Sequence, residues 1–270
     1  MKTAQEANEN KAYKEAVTEL LYQLADDDFI HAFRGSEWLG LAPHIEEDVA
    51  SSSISQDTMG HATMYYQLLE DLGEGDSDEL AHGRKPEQRK NAIILEEVNG
   101  PGNYLKEPDF DWAFAVVRQY FYAQSKKIRI DSLKNSSYQP LADVAVKVNM
   151  ELYYHLMHWR TWFSQLVNGK GEAPERMKKA IEKVCKDFDG VLTLGPNAEV
   201  MASHGLIEEE KVLKQRWENE MENVFASLGI SLPELGMERG NGRKGEHTKD
   251  LDGALATLGE VYLSDPAATW

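Results

Sequence analysis

Apolar residues recur along this chain at steps of three and four, the period of an α-helix that buries one face. Strand-like alternation is nearly absent. The first helix is predicted from about Ala12 to Leu41, with Leu20, Leu24, Phe33 and Leu41 near one stripe and with Gly40 and Pro43 punctuating its end. A second begins after Pro43 and runs through "EEDVASSSISQDTMGHATMYYQLLEDL" to Leu72, where the acidic loop "GEGDSDEL" follows. Residues 81–108 are less regular, and "NGPGNY" breaks them. A third helix covers Asp109 to about Leu133. After "KNSSYQP" a fourth runs from Leu141 to Leu166 and stops at "NGKG". A fifth lies near Pro174 to Phe188 and a sixth near Glu208 to Leu228. The tail starts as a Gly/Arg/Lys loop and ends in a short helix. With no tandem repeat and no evident linker, four long helices plus accessory ones predict one all-α domain over residues 1–270. Its core bundle spans about 12–166, with accessory helices and tail from about 173.

The polar residues inside these stripes carry the interest. On the fourth helix Leu141, Val144, Val148, Glu151, His155, His158 and Trp162 step by three and four, so three ionisable side chains interrupt an apolar seam. Asp57, His61, Met64 and Leu68 line up on the second helix; Ile30, Phe33, Glu37 and Leu41 do so on the first. The corresponding line on the third, Val117, Phe121 and Gln124, offers an amide and no carboxylate. A bundle interior penalises unpaired charge, so inward carboxylates need histidine, arginine or metal partners. Di-iron bundles meet this with carboxylates on two helices and Glu-x-x-His pairs on the other two. Here both acid–histidine pairs, Asp57/His61 and Glu151/His155, are spaced by four, and the proper spacing on the second helix lands on Gly60. Two readings stand on the residues: a metal-free polar network, or a di-iron site built from Glu37, Asp57, His61, Glu151 and His155, with His158 as an outlying candidate.

Composition narrows the function classes. A formal net charge of −17 opposes binding to nucleic acid. No apolar run approaches the roughly 20 residues of a membrane span, and the N-terminal segment lacks a secretion signal's apolar core, so a cytoplasmic location is expected. The single cysteine, Cys185, excludes an intramolecular disulfide and reads as a small buried residue. The patch "NGRKGEHTK", with Arg243, Lys244, His247 and Lys249, is basic and Gly-flexible; it offers a contact for a coenzyme A phosphate or an acidic partner, or else is a solvated loop. Trp159 and Trp270 are candidate interface anchors, whereas Trp38 and Trp162 sit near core stripes.

Ordered segments of the chain, "LADDDFIHAFRGSEWLGLAPHIEEDVASSSISQDTMGHATMYYQLLEDLGE", "RKNAIILEEVNGPGNY", "RQYFYAQ", "ELYYHLMHW", "LVNGKGE" and "GRKGEHTKDLDGALATLGEVY", resemble the structural C subunits of the bacterial phenylacetyl-CoA ring epoxidases. The resemblance covers most of the chain from Leu24 onward. It implies a ferritin-like four-helix bundle with additional C-terminal helices. It also implies a non-catalytic role in phenylacetate catabolism: binding and stabilising a ferritin-like catalytic subunit that carries the di-iron centre. Glu37, Asp57, Glu151 and His155 match positions expected in that family and read as a vestigial di-iron site. His61 stands where relatives often carry glutamine, and His158 is not a family requirement. No metal or other cofactor is then expected in this chain. The complex would insert one oxygen atom of O2 across the aromatic ring, with NADPH electrons arriving through a separate reductase. The competing classes are a di-iron oxidase or oxygenase in its own right and a metal-storage or homo-oligomeric bundle.

Overall fold

The computed structural model describes residues 3–103 and 105–268. Among them are seven long helices: α1 (Lys11–Ser36), α2 (Ile45–Asp71), α3 (Trp112–Leu133), α4 (Gln139–Val167), α5 (Ala173–Leu192), α6 (Glu210–Ser227) and α7 (Lys249–Ser264). Short helices at Ala4–Asn8, Ile93–Glu96 and Ala198–Ser203 had no clear periodic signal, because so few residues cannot display one. The largest boundary difference is at the end of α1, which stops at Ser36 rather than Leu41. Glu37 becomes its C-cap, and residues 37–43 form turns closed by Leu41 N–H on the Trp38 carbonyl. Local chemistry sets the starts: the Asn10 side chain accepts from the N–H of Tyr13, and that of Asp111 from the N–H of Ala113.

Helices α1 and α2 pack as one hairpin and α3 and α4 as another, which makes the four-helix bundle of an all-α, ferritin-like fold. Gly35 lets the first hairpin close: a Cβ there would collide with Ser55 Oγ of α2. Helices α1 and α3 are buried on nearly every face. Their outer sides are covered by α5, α6, α7 and the 93–96 turn, leaving α2 and α4 as the outer layer on the opposite side.

Burial on all faces makes α1 unusual, because three consecutive aspartates, Asp26, Asp27 and Asp28, lie within it and are all buried. Successive helical residues point about 100° apart, so each carboxylate reaches a different neighbour. Asp26 pairs with Arg84 and Arg89 and accepts from Tyr66 Oη at 2.7 Å and from the N–H of Lys90 at 2.8 Å. Burial opposes its charge, but the two guanidiniums hold its carboxyl below the usual value. Asp27 receives both Nη atoms of Arg243 at 2.8 Å, Arg129 at 3.2 Å and the N–H of Ala92. Asp28 binds Lys126 at 2.7 Å and Tyr122 Oη at 2.6 Å.

The tail loop is therefore part of the core. Arg243 is fully buried, and Gly242 packs so closely on the Asn91 carbonyl that no Cβ fits. Its guanidinium is committed to Asp27, which corrects the expectation that it reaches a phosphate or a partner. His247 is likewise engaged, by Glu96 at 2.8 Å and the Arg89 carbonyl at 3.0 Å, whereas Lys244 and Lys249 are exposed. Trp38 and Trp159 are core residues, and Trp270 lies outside the described residues. Cys185 is buried, and burial pushes its thiol up to about 12.

Removing one partner of a buried pair leaves an uncompensated charge, at a cost of about 3–5 kcal/mol. Asp27→Ala, which strands Arg129 and Arg243, should lower the unfolding free energy by that amount, read as a lower urea midpoint at an unchanged slope. Lys244→Ala, on the exposed side of the same loop, should stay within about 0.5 kcal/mol. Equally small shifts for both variants would show that the Asp27 cluster does not hold the tail.

Candidate functional site: a lysine at the bundle centre

Four helices bring ionisable groups to the middle of the bundle, His31 and Asp28 from α1, His61 from α2, Lys126 from α3 and His155 from α4, with Glu151 of α4 at its rim. The Lys126 ammonium is buried, 2.7 Å from Asp28 Oδ2 and 2.7 Å from His61 Nδ1. An ammonium only donates, so His61 accepts at Nδ1 and carries its proton on Nε2. That N–H donates to Glu151 Oε2 at 2.5 Å. One chain of hydrogen bonds thus crosses from α1 through α3 and α2 to α4: Asp28, Lys126, His61, Glu151.

Beside it, His155 Nε2 lies 3.0 Å from Asp57 Oδ2, and the His61 and His155 rings are 6.2 Å apart. His31 packs its ring 4.3 Å from that of Tyr122. Further along, buried Glu47 accepts from His158 Nε2 at 3.0 Å and Trp162 Nε1 at 2.5 Å.

Burial and the nearby cationic groups set the electrostatics. Burial pushes His31, His61 and His155 below the ordinary imidazole value. Lys126 adds to the effect on all three, and Arg118 on His31. Burial also lowers Lys126, with Asp28 opposing. Burial raises Asp28 and Glu151; Lys126 opposes both, and Asp57 pushes Glu151 further up. The centre is one cation paired with buried Asp28 and flanked by neutral imidazoles, with Glu151 and Asp57 at the edges.

The structure joins the sequence candidates differently from their helical lines. Asp57 pairs with His155 and Glu151 with His61, each across the α2–α4 seam rather than along one helix. Glu151 and Asp57 are nearly half exposed, at 48% and 42% of their side chains, so they sit on the rim and not in the interior. The buried stripe of α4 runs through Leu141, Ala145, Val148, Leu152, His155, Trp159 and Phe163, about a quarter of a turn from Glu151. Glu37 does not join them. It lies roughly 13 Å further along α1 than Asp28, at 1.5 Å per residue, and binds Arg34 Nη1 at 3.0 Å and Asn99 Nδ2 at 2.8 Å. His158 belongs to Glu47.

A metal pair needs several carboxylates converging on one point. Among the described residues no group of three or more His, Cys, Asp or Glu side chains does so. Both ring nitrogens of His61 are taken, Nδ1 by Lys126 and Nε2 by Glu151. The residues present do not fit a di-iron centre.

Lys126, Asp28 and Glu47 were not among the sequence candidates. The helix-three line through Val117, Phe121 and Gln124 runs about half a turn away from Lys126, on the opposite face of a helix that is buried on nearly every side. The visible signal was the run "DDD" and the bases of "KKIRID" inside segments too apolar to be solvated faces.

A two-hairpin bundle with a polar centre and accessory helices on one side is a ferritin-like protein whose centre is filled by a side-chain cation. The chain belongs to the phenylacetic acid catabolic protein family, whose model matches residues 1–270. It is 29% identical over 259 residues to the C subunit of the 1,2-phenylacetyl-CoA epoxidase of Escherichia coli (strain K12), an alignment covering 94% of this chain and 99% of that relative.

Lys126→Met leaves buried Asp28 without its cation and should cost about 3–5 kcal/mol; adding Asp28→Asn should recover part of the loss in a double-mutant cycle. Additive losses would mean that the two do not act as a pair. The histidines set the pH response. Unfolded imidazoles take up protons below about pH 6.5, whereas the folded ones resist until lower pH. The unfolded state then binds more protons, and stability falls as pH drops below that value. Asp28 and Glu151, raised in the folded state, offset part of this at lower pH. A melting temperature that falls between about pH 7 and pH 5.5, less steeply in His155→Gln, is the expected result. A flat profile would show that the imidazoles titrate as if exposed.

Proposed function

We propose that this chain is the non-catalytic structural subunit of a phenylacetyl-CoA 1,2-epoxidase, holding and stabilising a ferritin-like catalytic subunit that carries the di-iron centre. The observation that carries the reading is Lys126. A catalytic di-iron bundle needs open coordination positions for oxygen, and the middle of this one is taken up by an ammonium paired with Asp28 and His61. The chain itself then takes no metal and no other cofactor. Its contribution is a rigid helical scaffold, with its central ammonium and carboxylates paired inside the bundle. The membership of the family and the likeness to an epoxidase C subunit support the reaction: one atom of O2 added across the aromatic ring of the CoA ester, with NADPH electrons delivered by a separate reductase component.

The complex is assigned to the cytoplasm, where the CoA ester and NADPH are found. No helix among the described residues is long and apolar enough to cross a membrane. The −17 charge keeps such a scaffold dispersed and turns nucleic acid away.

Two measurements test the proposal. Elemental analysis of the purified chain should find iron well below one atom per chain; about two per chain, with O2-dependent turnover by this chain and a reductase alone, would make it an oxygenase in its own right. Reconstitution of phenylacetyl-CoA turnover from reductase, catalytic subunit, remaining components and this chain should lose stable activity when this chain is left out. Full, lasting activity without it would remove the supporting role.

A further inference from the structure

Helix α4 is apolar on two opposite faces. Its inner stripe packs in the bundle, yet Val146, Met150, Tyr153, Tyr154 and Met157 are all more than half exposed. At about 100° per residue these five fall within an outward arc roughly 100° wide, the width of a buried helix stripe. The two tyrosines meet edge to face with centroids 5.3 Å apart, which presents a stiff aromatic pair. A helix apolar on both sides is one that is buried on both sides.

The neighbouring helix continues the surface. The outward line of α2 runs Ile45, Val49, Ser53, Gln56, Gly60, Thr63 and Gln67 without a charge, in a chain that is 28% charged. Ile45 and Val49 are 77% and 63% exposed, and a Cβ on Gly60 would meet nothing within 4 Å. Asp57 and Glu151, which rim the seam between the helices, are each turned onto a histidine of the opposite helix. The accessory helices pack mainly on the other side of the bundle, with α5 also touching α4.

We infer that the α2–α4 face is the docking surface for the catalytic subunit, and that the partner meets it with an uncharged two-helix ridge. This rests on the reading of the chain as a structural subunit. Two sources of support fix the occupant. The first is area: helices of 27 and 29 residues side by side offer a strip roughly 40 Å by 20 Å. That is about the 800 Å² per partner of a stable interface. The second is charge. A second copy would bring another −17 against this chain, whereas a different helical subunit need not. A basic partner would seek the more acidic surfaces instead, because the few charges bordering this strip, Asp143, Lys147 and Arg160 on α4 and the histidine-bonded Asp57 and Glu151 at the seam, are mixed in sign.

The test is binding of the purified catalytic subunit to the wild-type chain and to Met150→Glu/Tyr154→Glu, Tyr154→Phe and Val261→Glu, with helicity and melting checked for each. Val261 is exposed on α7, away from the strip. Wild type, Tyr154→Phe and Val261→Glu should bind alike, and Met150→Glu/Tyr154→Glu about 100-fold more weakly, as for loss of a central anchor. Wild-type binding that the double variant leaves unchanged overturns the surface and spares the structural-subunit reading. No binding by wild type overturns that reading and the surface with it. A wild-type homodimer that the double variant dissolves, with no effect on binding of the catalytic subunit, assigns the strip to a second copy and also overturns the inference.

Discussion

A charge buried in a protein interior must be paired, and three such charges in a row decide the architecture here. Asp26, Asp27 and Asp28 occupy one turn of a helix that is enclosed on all sides, so no carboxylate can turn to water. Each draws in a different segment. Asp26 orders residues 84–90, Asp27 ties α3 to the C-terminal loop through Arg129 and Arg243, and Asp28 fixes Lys126 in the bundle centre. Segments distant in sequence are joined by ion pairs with defined geometry, while the apolar contacts around them supply most of the burial. The irregular 79–103 region and the Gly-rich tail have little helical structure of their own. Their order comes largely from these carboxylates and from Glu96.

The same constraint explains the centre. Ferritin-like metal sites balance cationic ions with converging carboxylates; here one ammonium balances one carboxylate, and the remaining inward groups are imidazoles held neutral by burial and by that ammonium. Lys126 gives hydrogen bonds to Asp28 and His61, and His61 passes the chain on to Glu151 at the rim. Such a chain suits a scaffold, because it links the four helices without an exchangeable ligand.

Rigidity inside and apolarity outside then belong to one design. The accessory helices protect the α1–α3 side, and the carboxylates on the α2–α4 seam are tethered to histidines instead of standing out as free charges. The result is a strip of low charge on a strongly acidic protein. The acidity keeps the rest of the surface solvated, and the strip remains where helix–helix packing has room to operate.

The all-helical fold, the four long helices, the accessory helices and the tail helix were legible in the sequence, since a period of 3.6 residues is written locally and repeats over each segment. Glu151, His155, Asp57 and His61 were legible as polar interruptions of apolar lines for the same reason. Their partners were not. Periodicity says which side of a helix faces inward but not which residue on another helix lies opposite, so the pairs read along each helix proved to be pairs across the seam. Glu37 fell on an inward line yet lies beyond the last turn of α1, where the line no longer applies. Arg243 looked like a surface base because glycines and charges surround it locally. Its burial came from Asp27, 216 positions away in the chain. Composition and period are local properties and determined the elements; the pairing of buried charges is a property of the assembled bundle, and only the tertiary structure decided it.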